Sequence, residues 1–402
     1  MCDIITTIHI YTKGEIDMAR KSSTPEDGEA KQSKSLIADF LKKSQIKGLE
    51  MASVLSTSLL SNVSEWVSTG SLSLNKIISG DIYKGLPRGR IMAFAGPSGV
   101  GKTYLLMSSA REAQKQGYTI LVLDSENAFD ADSFRRLGGN PDEVLHFPVI
   151  TVTECRNKCV QIMDEWMKLH PESKLFIIVD SLGGLTTEKV FEDIEKDEGK
   201  ADMGNRAKQL REMAKVFTNY IAKHQAIMIV SNHTYEQPPP NPKMPPVVKF
   251  GGGEGFVYAT SGIVFLKKSQ IREEEVDAQG NSVKVKKGNI LKATAEKNRF
   301  VPEGMVGEIY LSFETGLNKW YGLLNDALEA QLITEPSQGW YHFAHQEGNV
   351  RKKELYKTAN WVGLIDKLAE HIRNKYKYTK FTTDEEIEAT LGSVEKEEDK
   401  GD

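Results

Sequence analysis

The segment Gly96-Pro97-Ser98-Gly99-Val100-Gly101-Lys102-Thr103 carries the most explicit chemistry in this chain. Its glycines let backbone N–H groups turn inward and cradle phosphates at the mouth of a helix, where the helix dipole also favours anions. Lys102 has the reach for β and γ phosphates, and the Thr103 hydroxyl can ligate Mg²⁺. A second landmark is the apolar run Leu175-Phe176-Ile177-Ile178-Val179-Asp180, whose terminal carboxylate suits a hydrated Mg²⁺ beside a nucleotide. A third run, Thr119 to Asp124, leads into Ser125-Glu126. Parallel strands that end side by side share one crevice, so Glu126 is placed to face the γ phosphate and orient an attacking water. The expected cofactors are ATP and Mg²⁺.

The elements that must position these groups follow from the apolar pattern. Short apolar runs at Ile91–Ala95, Thr119–Asp124, Leu175–Asp180, Ala226–Ser231 and Gly262–Leu266 alternate, through the first four, with helical patterns such as Thr103–Gln116 and Ala207–Lys223. Such alternation predicts a mostly parallel sheet covered on both faces. Val283–Lys287, Ile290–Glu296 and Glu308–Phe313 read as its antiparallel extension. Upstream, Leu36, Ile37, Phe40 and Leu41, then Ile46, Leu49, Val54 and Leu55, predict one or two short amphipathic helices. Cys155 and Cys159 continue into Ile162, Met163 and Trp166 on one apolar helix face, so they are expected to pack in the core. Between Glu236 and Lys249 lie six prolines, leading into Gly251-Gly252-Gly253. A long structureless connection inside a compact domain is usually functional or disordered.

Composition bounds the class. With 402 residues, 39% hydrophobic and 27% charged, the chain has the make-up of a globular protein with a sizeable core. No apolar run approaches a membrane span, the apolar Ile4–Tyr11 is too short for one, and a cytoplasmic location is expected. Residues 19–35 read as a flexible arm, and Met18, followed by Ala-Arg-Lys, offers an alternative start. Net charge is −4, yet residues 382–402 alone carry −7, directly after a basic stretch at 351–380. A basic module beside an acidic tail suggests a nucleic-acid-facing surface with its own electrostatic competitor.

Further motifs resemble one family in their order. Ser68-Thr69-Gly70-Ser71-Leu72-Ser73-Leu74, then Gly85-Leu86-Pro87-Arg88-Gly89-Arg90-Ile91 and the phosphate loop, are similar to the entrance of the core of the RecA-type recombinases. Leu123 to Asp130 resembles that family's segment bearing a catalytic glutamate, and Val230-Ser231-Asn232-His233 its strand leading into the second DNA loop. His233 stands where the family usually has glutamine, which with Thr234-Tyr235-Glu236 and Gly339-Trp340-Tyr341 looks like the bacteriophage UvsX-like branch. The resemblance implies an α/β RecA-like P-loop core with a mostly parallel sheet, a helical N-terminal arm and a small C-terminal α+β domain. The boundaries it suggests are 1–60 for arm and protomer-linking helices, 61–315 for the core, 316–381 for the C-terminal domain and 382–402 for the tail. DNA-binding loops are expected at about 184–206 and 234–253.

By the same resemblance, Met203, Gly204, Lys208 and Lys215 take up DNA at the first loop and the helix after it, and Gly251 and Gly252 at the second. His233 senses the γ phosphate. Lys297 and Arg299 reach a neighbour's ATP, and catalysis rests on Glu126, Lys102 and these two cations. Ser133 stands where the family places a tyrosine against adenine, with Phe134 as a possible substitute. The implied function is ATP-dependent filament formation on single-stranded DNA and strand exchange with double-stranded DNA. The implied partners are a homo-oligomeric helical filament, a single-strand-binding protein and a recombination mediator, in host cytoplasm if phage-encoded. A ring-shaped motor on the same core is the rival, as is a non-enzymatic DNA-binding regulator, against which intact Lys102, Glu126 and Asp180 argue.

Overall fold

The computed structural model describes residues 36–46, 52–58, 61–190, 203–239, 246–276 and 282–376. The expected arm at 19–35 and the acidic tail at 382–402 lie outside them, as do much of the first loop and the tip of the second. The chain divides into two units, Met1–Asn62 and Val63–Asp402. In the first, residues 36–43 are helical and Leu55–Thr57 forms a 3-10 turn.

A nine-stranded sheet organises the second unit, in the order Gly316–Asn318, Val306–Ser312, Ser282–Asn298, Gly262–Val276, Ile91–Ala95, Ile227–Asn232, Lys174–Asp180, Tyr118–Asp124 and Val144–Pro148. The strands from Gly262–Val276 to Val144–Pro148 pair in parallel, and the remaining pairs are antiparallel. This is the α/β arrangement that the alternating pattern predicts. Its last strand lies just past the expected boundary at 315.

Because successive side chains in a strand point to opposite faces, each central strand supplies both cores. Met92, Phe94, Ile120, Val122, Phe176, Ile178 and Ile229 pack with Leu105, Leu106 and Ala110 of the helix Lys102–Lys115. Ala93, Leu121, Leu123, Ile177, Val179 and Val230 face the helices Val152–Leu169 and Met203–His224 on the other side. Cys155 and Cys159 are fully buried in that second core, and burial pushes both thiols far up. They are packing residues.

Two expectations change, and one strand is added. Val283–Lys287 and Ile290–Glu296 belong to one continuous strand, Ser282–Asn298, since Gly288 is accommodated in the ladder opposite Ser312. The edge strand Val144–Pro148 adds to the expected runs; it is apolar apart from His146, yet its side chains are half-buried or exposed because it closes one side of the sheet. The proline-rich connection is not wholly structureless, for Thr234–Gln237 pairs with Val247–Phe250 in an antiparallel ribbon. β-branched and aromatic residues (Thr234, Tyr235, Val247, Val248, Phe250) support that base, while the prolines, which cannot donate to a ladder, gather beyond it.

Beyond the sheet, Ile333–Ser337, Trp340–Phe343 and Asn349–Arg351 form a small antiparallel sheet. With the helices Leu324–Glu329, Thr358–Val362 and Ile365–Lys375 it encloses a third core around Trp361, Trp320 and Phe343. Among the described residues, no helix is long and apolar enough to cross a membrane.

Candidate active site

The phosphate loop leaves the strand Ile91–Ala95 and enters the helix that opens at Lys102. Gly101 has φ +108°, a conformation that strains any residue with a Cβ. A Cβ at Gly96 would stand 2.6 Å from the Leu266 carbonyl oxygen. The turn therefore closes only with glycine at these two positions. Lys102 is buried and its Nζ donates to the carbonyls of Gly96 and Pro97, each at 3.1 Å. Burial lowers the pKa of its ammonium against the attraction of Glu126 and Asp180. A cation held on its own loop in this way is poised to exchange carbonyl partners for phosphate oxygens. Lys268 steadies the rim, its Nζ donating to the Gly99 carbonyl at 2.6 Å.

Two strands away, Asp180 ends a fully apolar stretch and is itself buried. Burial raises its pKa, opposed by hydrogen bonds that the Ser231 and Thr103 hydroxyls donate to its carboxylate. Thr103 Oγ1 lies 2.6 Å from Asp180 Oδ2. A hydroxyl and a carboxylate side by side are the hard oxygen donors that Mg²⁺ prefers. Among the described residues no cluster of three or more His, Cys, Asp or Glu side chains could hold a metal alone, so such a cation would complete its shell with phosphate oxygens and water. The Asp180–Ser181 peptide bond is cis.

Glu126 stands beside this pair. Ser181 Oγ donates to its Oε1, and His233 Nε2 lies 3.2 Å from the same oxygen. His233 links the strand Ile227–Asn232 to the ribbon, and the Asn232 side chain binds the Gly251 carbonyl at 2.7 Å. The residues read as γ-phosphate sensor, water-orienting glutamate and second-loop glycine thus converge at the carboxyl end of the sheet. The turn after Asp180 is held by Arg206, whose guanidinium donates to the carbonyls of Leu185 at 2.7 Å and Leu182 at 2.8 Å.

Lys208 and Lys215 are exposed on the helix Met203–His224, and Gly204 is also exposed. Arg211 lies between them at helical spacing and, with Lys215, Thr218 and Tyr258, lines a cleft of about 600 Å³. Gly252 crosses the same helix, where a Cβ would stand 2.9 Å from Leu210. Met203 starts the helix.

Lys297 and Arg299 are not brought to the phosphate loop of their own chain. Lys297 pairs with Ile263, which pairs with Ala93, and the Arg299 N–H donates to the Ser261 carbonyl. Ser261 in turn donates to Ile91, the first residue of the strand whose far end carries the loop. The two cations therefore sit at the amino end of the sheet. Lys297 Nζ donates to the carbonyls of Val257 and, at 2.8 Å, Thr260, the exit of the helix Glu254–Ala259. Burial, then the charge of Arg299, lowers its pKa. Glu303 accepts from the Asn298 N–H at 3.3 Å.

Phe134 does not replace the expected adenine-stacking aromatic. It is fully buried, tilted against Phe129 with ring centroids 5.3 Å apart, and a Cβ at Gly139 would meet its ring at 2.4 Å. Its apolar face is used in the core. The sequence gives no hint of the bonds made by Ser231, Lys268 and Arg206, whose partners lie in distant segments; Arg211 does have a local signal, its spacing from Lys208 and Lys215.

Comparison with known proteins identifies the family. The family described as RecA N-terminal domain matches residues 41–300. The chain is 27% identical over 359 residues to "Recombination and repair protein" of Enterobacteria phage T4, covering 86% of this chain and 87% of that one. It is 30% identical over 283 residues to "Protein RecA" of Desulforapulum autotrophicum, covering 69% and 73%. "Protein RecA" of Listeria welshimeri is 24% identical over 337 residues, covering 82% and 89%.

Proposed function

Because the chain belongs to the RecA family, we propose that it is a DNA-dependent ATPase acting as a recombinase in recombination and repair. In this reading Lys102 and the N–H groups of the 96–103 loop, Pro97 apart, bind the triphosphate, and Thr103 with Asp180 would hold Mg²⁺. The cation, when bound, neutralises charge on the phosphates. Glu126 orients the attacking water and accepts its proton, with Ser181 fixing the carboxylate. Protomers assemble head to tail on single-stranded DNA and exchange strands with a homologous duplex. A head-to-tail contact whose rotation does not close produces a helical filament. The exposed apolar side chains Leu36, Ile37 and Phe40 support an arm that packs on a neighbouring protomer. Single-strand-binding and mediator proteins are the partners such a filament would meet, and a bacterial host cytoplasm is the setting that the phage relative favours.

The observation that carries this reading is the convergence of Glu126, His233 and the Asn232–Gly251 bond, which joins the water-orienting carboxylate to the base of a DNA loop. Negative-stain microscopy on single-stranded DNA with a slowly hydrolysed ATP analogue tests it. Extended filaments and DNA-stimulated phosphate release are expected. Closed rings with directional unwinding would instead establish a motor. In the same assay Glu126→Gln should keep ATP binding and stabilise filaments while turnover falls, since it removes the proton acceptor and little phosphate contact.

A further inference from the structure

We infer that Asp124 and His146 are positioning residues for Glu126, an assignment that rests on the water-orienting reading of that carboxylate. Asp124 ends the strand Tyr118–Asp124, and its carboxylate is completely shielded from solvent. Its Oδ1 accepts from the N–H groups of Glu126 at 2.9 Å and Ala128 at 3.4 Å, and its Oδ2 accepts from Phe129 at 3.1 Å. His146, on the neighbouring edge strand, brings Nε2 within 3.1 Å of the same Oδ2. A carboxylate can only accept, so this imidazole nitrogen carries the proton.

These contacts wrap the turn that bears Glu126 around one buried charge. Asn127 within the turn has φ +54°, a left-handed conformation that asparagine tolerates better than other side chains, and the buried carboxylate fixes the turn around it. Burial pushes the Asp124 pKa up, but the bond from His146 and the N–H donors outweigh it, and the carboxyl sits below its ordinary value. The ionised form is thus the one the site is built for. On the opposite flank, Ser125 Oγ donates to the Ser181 carbonyl at 2.7 Å and accepts from the Ser181 N–H at 2.9 Å, and Ser181 Oγ holds the Glu126 carboxylate. Asp124 fixes the backbone of Glu126 and Ser181 fixes its head. Neither Asp124 nor His146 needs to touch substrate to affect the rate, because a displaced water-orienting group lowers turnover steeply.

A double-mutant cycle in the full-length protein, with ATP and single-stranded DNA, tests this. Asp124→Asn preserves shape but removes one of the two accepting oxygens and the charge. It should lower kcat about tenfold or more while KM for ATP stays near wild type. In a Glu126→Gln background the same change should add nothing further, because the group it positions is already disabled. Wild-type kcat for Asp124→Asn, or losses that multiply in the double variant, would overturn the inference. Slow turnover by Glu126→Gln beside normal turnover by Asp124→Asn overturns the inference alone; normal turnover by Glu126→Gln overturns the underlying reading as well. If Asp124→Asn does not fold, the pair His146→Ala and His146→Gln decides. Alanine should slow kcat, and glutamine, which keeps an N–H donor, should restore it; equal rates for the two would overturn the assignment.

Discussion

His233 and Glu126 face one another at the carboxyl end of the sheet, the imidazole Nε2 3.2 Å from the carboxylate Oε1. The backbone of His233 also accepts from the Gly251 N–H at 3.0 Å, so the residue belongs at once to the hydrolytic site and to the ribbon that leads into the second loop. Whatever moves the ribbon moves the imidazole. A Cβ at Gly183 would stand 2.7 Å from the His233 ring, so the turn after Asp180 also confines it.

His233→Ala should therefore separate DNA binding from hydrolysis. Turnover with single-stranded DNA is expected to fall toward the DNA-free rate, while ATP affinity changes little, because no phosphate-loop contact is removed. Equal stimulation by DNA in wild type and variant, measured as phosphate release, would remove His233 from the coupling path.

Much of this site is legible in the sequence because it is local. The phosphate loop, Asp180 and Glu126 are each read from a short apolar run and the residues directly after it. What stays hidden is held across the fold. Lys268 reaches Gly99 over 169 positions, and Ser231 reaches Asp180 over 51, so no spacing rule connects them. Asp124 reads as an ordinary strand end because its partner His146 lies 22 positions away on another strand, beyond the reach of any spacing rule. Phe134 fails as an adenine platform for the converse reason, since an aromatic beside an expected site can equally be claimed by the core.

A stability prediction follows from Lys76 and Asp326, which join the helix Leu72–Ser79 to Leu324–Glu329 through a buried ion pair at 2.6 Å. Tyr376 Oη also donates to Asp326, at 3.3 Å. Asp326→Ala leaves the Lys76 charge buried and unpaired and should cost about 3–5 kcal/mol in chemical denaturation. Replacing both partners with apolar residues, as in Lys76→Met/Asp326→Leu, should recover most of that loss. A cost below about 1 kcal/mol for the single variant, typical of exposed pairs, would mean that water reaches the site.

Lys208, Arg211 and Lys215 form one basic stripe on the helix Met203–His224. If it tracks phosphates, replacing one of them with alanine should weaken single-stranded DNA binding across sequences and reduce the salt slope by about 1. An unchanged slope would assign that residue to the cleft beside Tyr258 instead of to DNA. If the −7 segment 382–402 competes with DNA for basic surface, deleting it should raise duplex affinity at low salt, and an unchanged affinity would leave the segment a solubiliser only.

The position of Lys297 and Arg299 carries the last prediction. They stand two residues apart and both reach the Tyr258 carbonyl, Nζ at 3.4 Å and Nη2 at 3.2 Å. Lying at the amino end of the sheet, they cannot serve the phosphate loop at the carboxyl end of their own chain. Two cations gathered at one surface point, one half-buried and one exposed, suit a neighbour's γ phosphate when protomers stack head to tail. A cation supplied in trans stabilises transition-state charge and contributes about 10³ or more in rate. Under that arrangement hydrolysis would depend on assembly, since only adjacent protomers would complete a site. The measurement mixes Lys297→Ala/Arg299→Ala protomers, which keep the phosphate loop, with Lys102→Ala protomers, which keep the cations. Neither alone should hydrolyse ATP on single-stranded DNA, and mixed filaments should recover part of the activity, greatest near equal amounts. Co-assembly shown by labelled protomers without any recovery would confine the two cations to a structural role at the exit of the helix Glu254–Ala259.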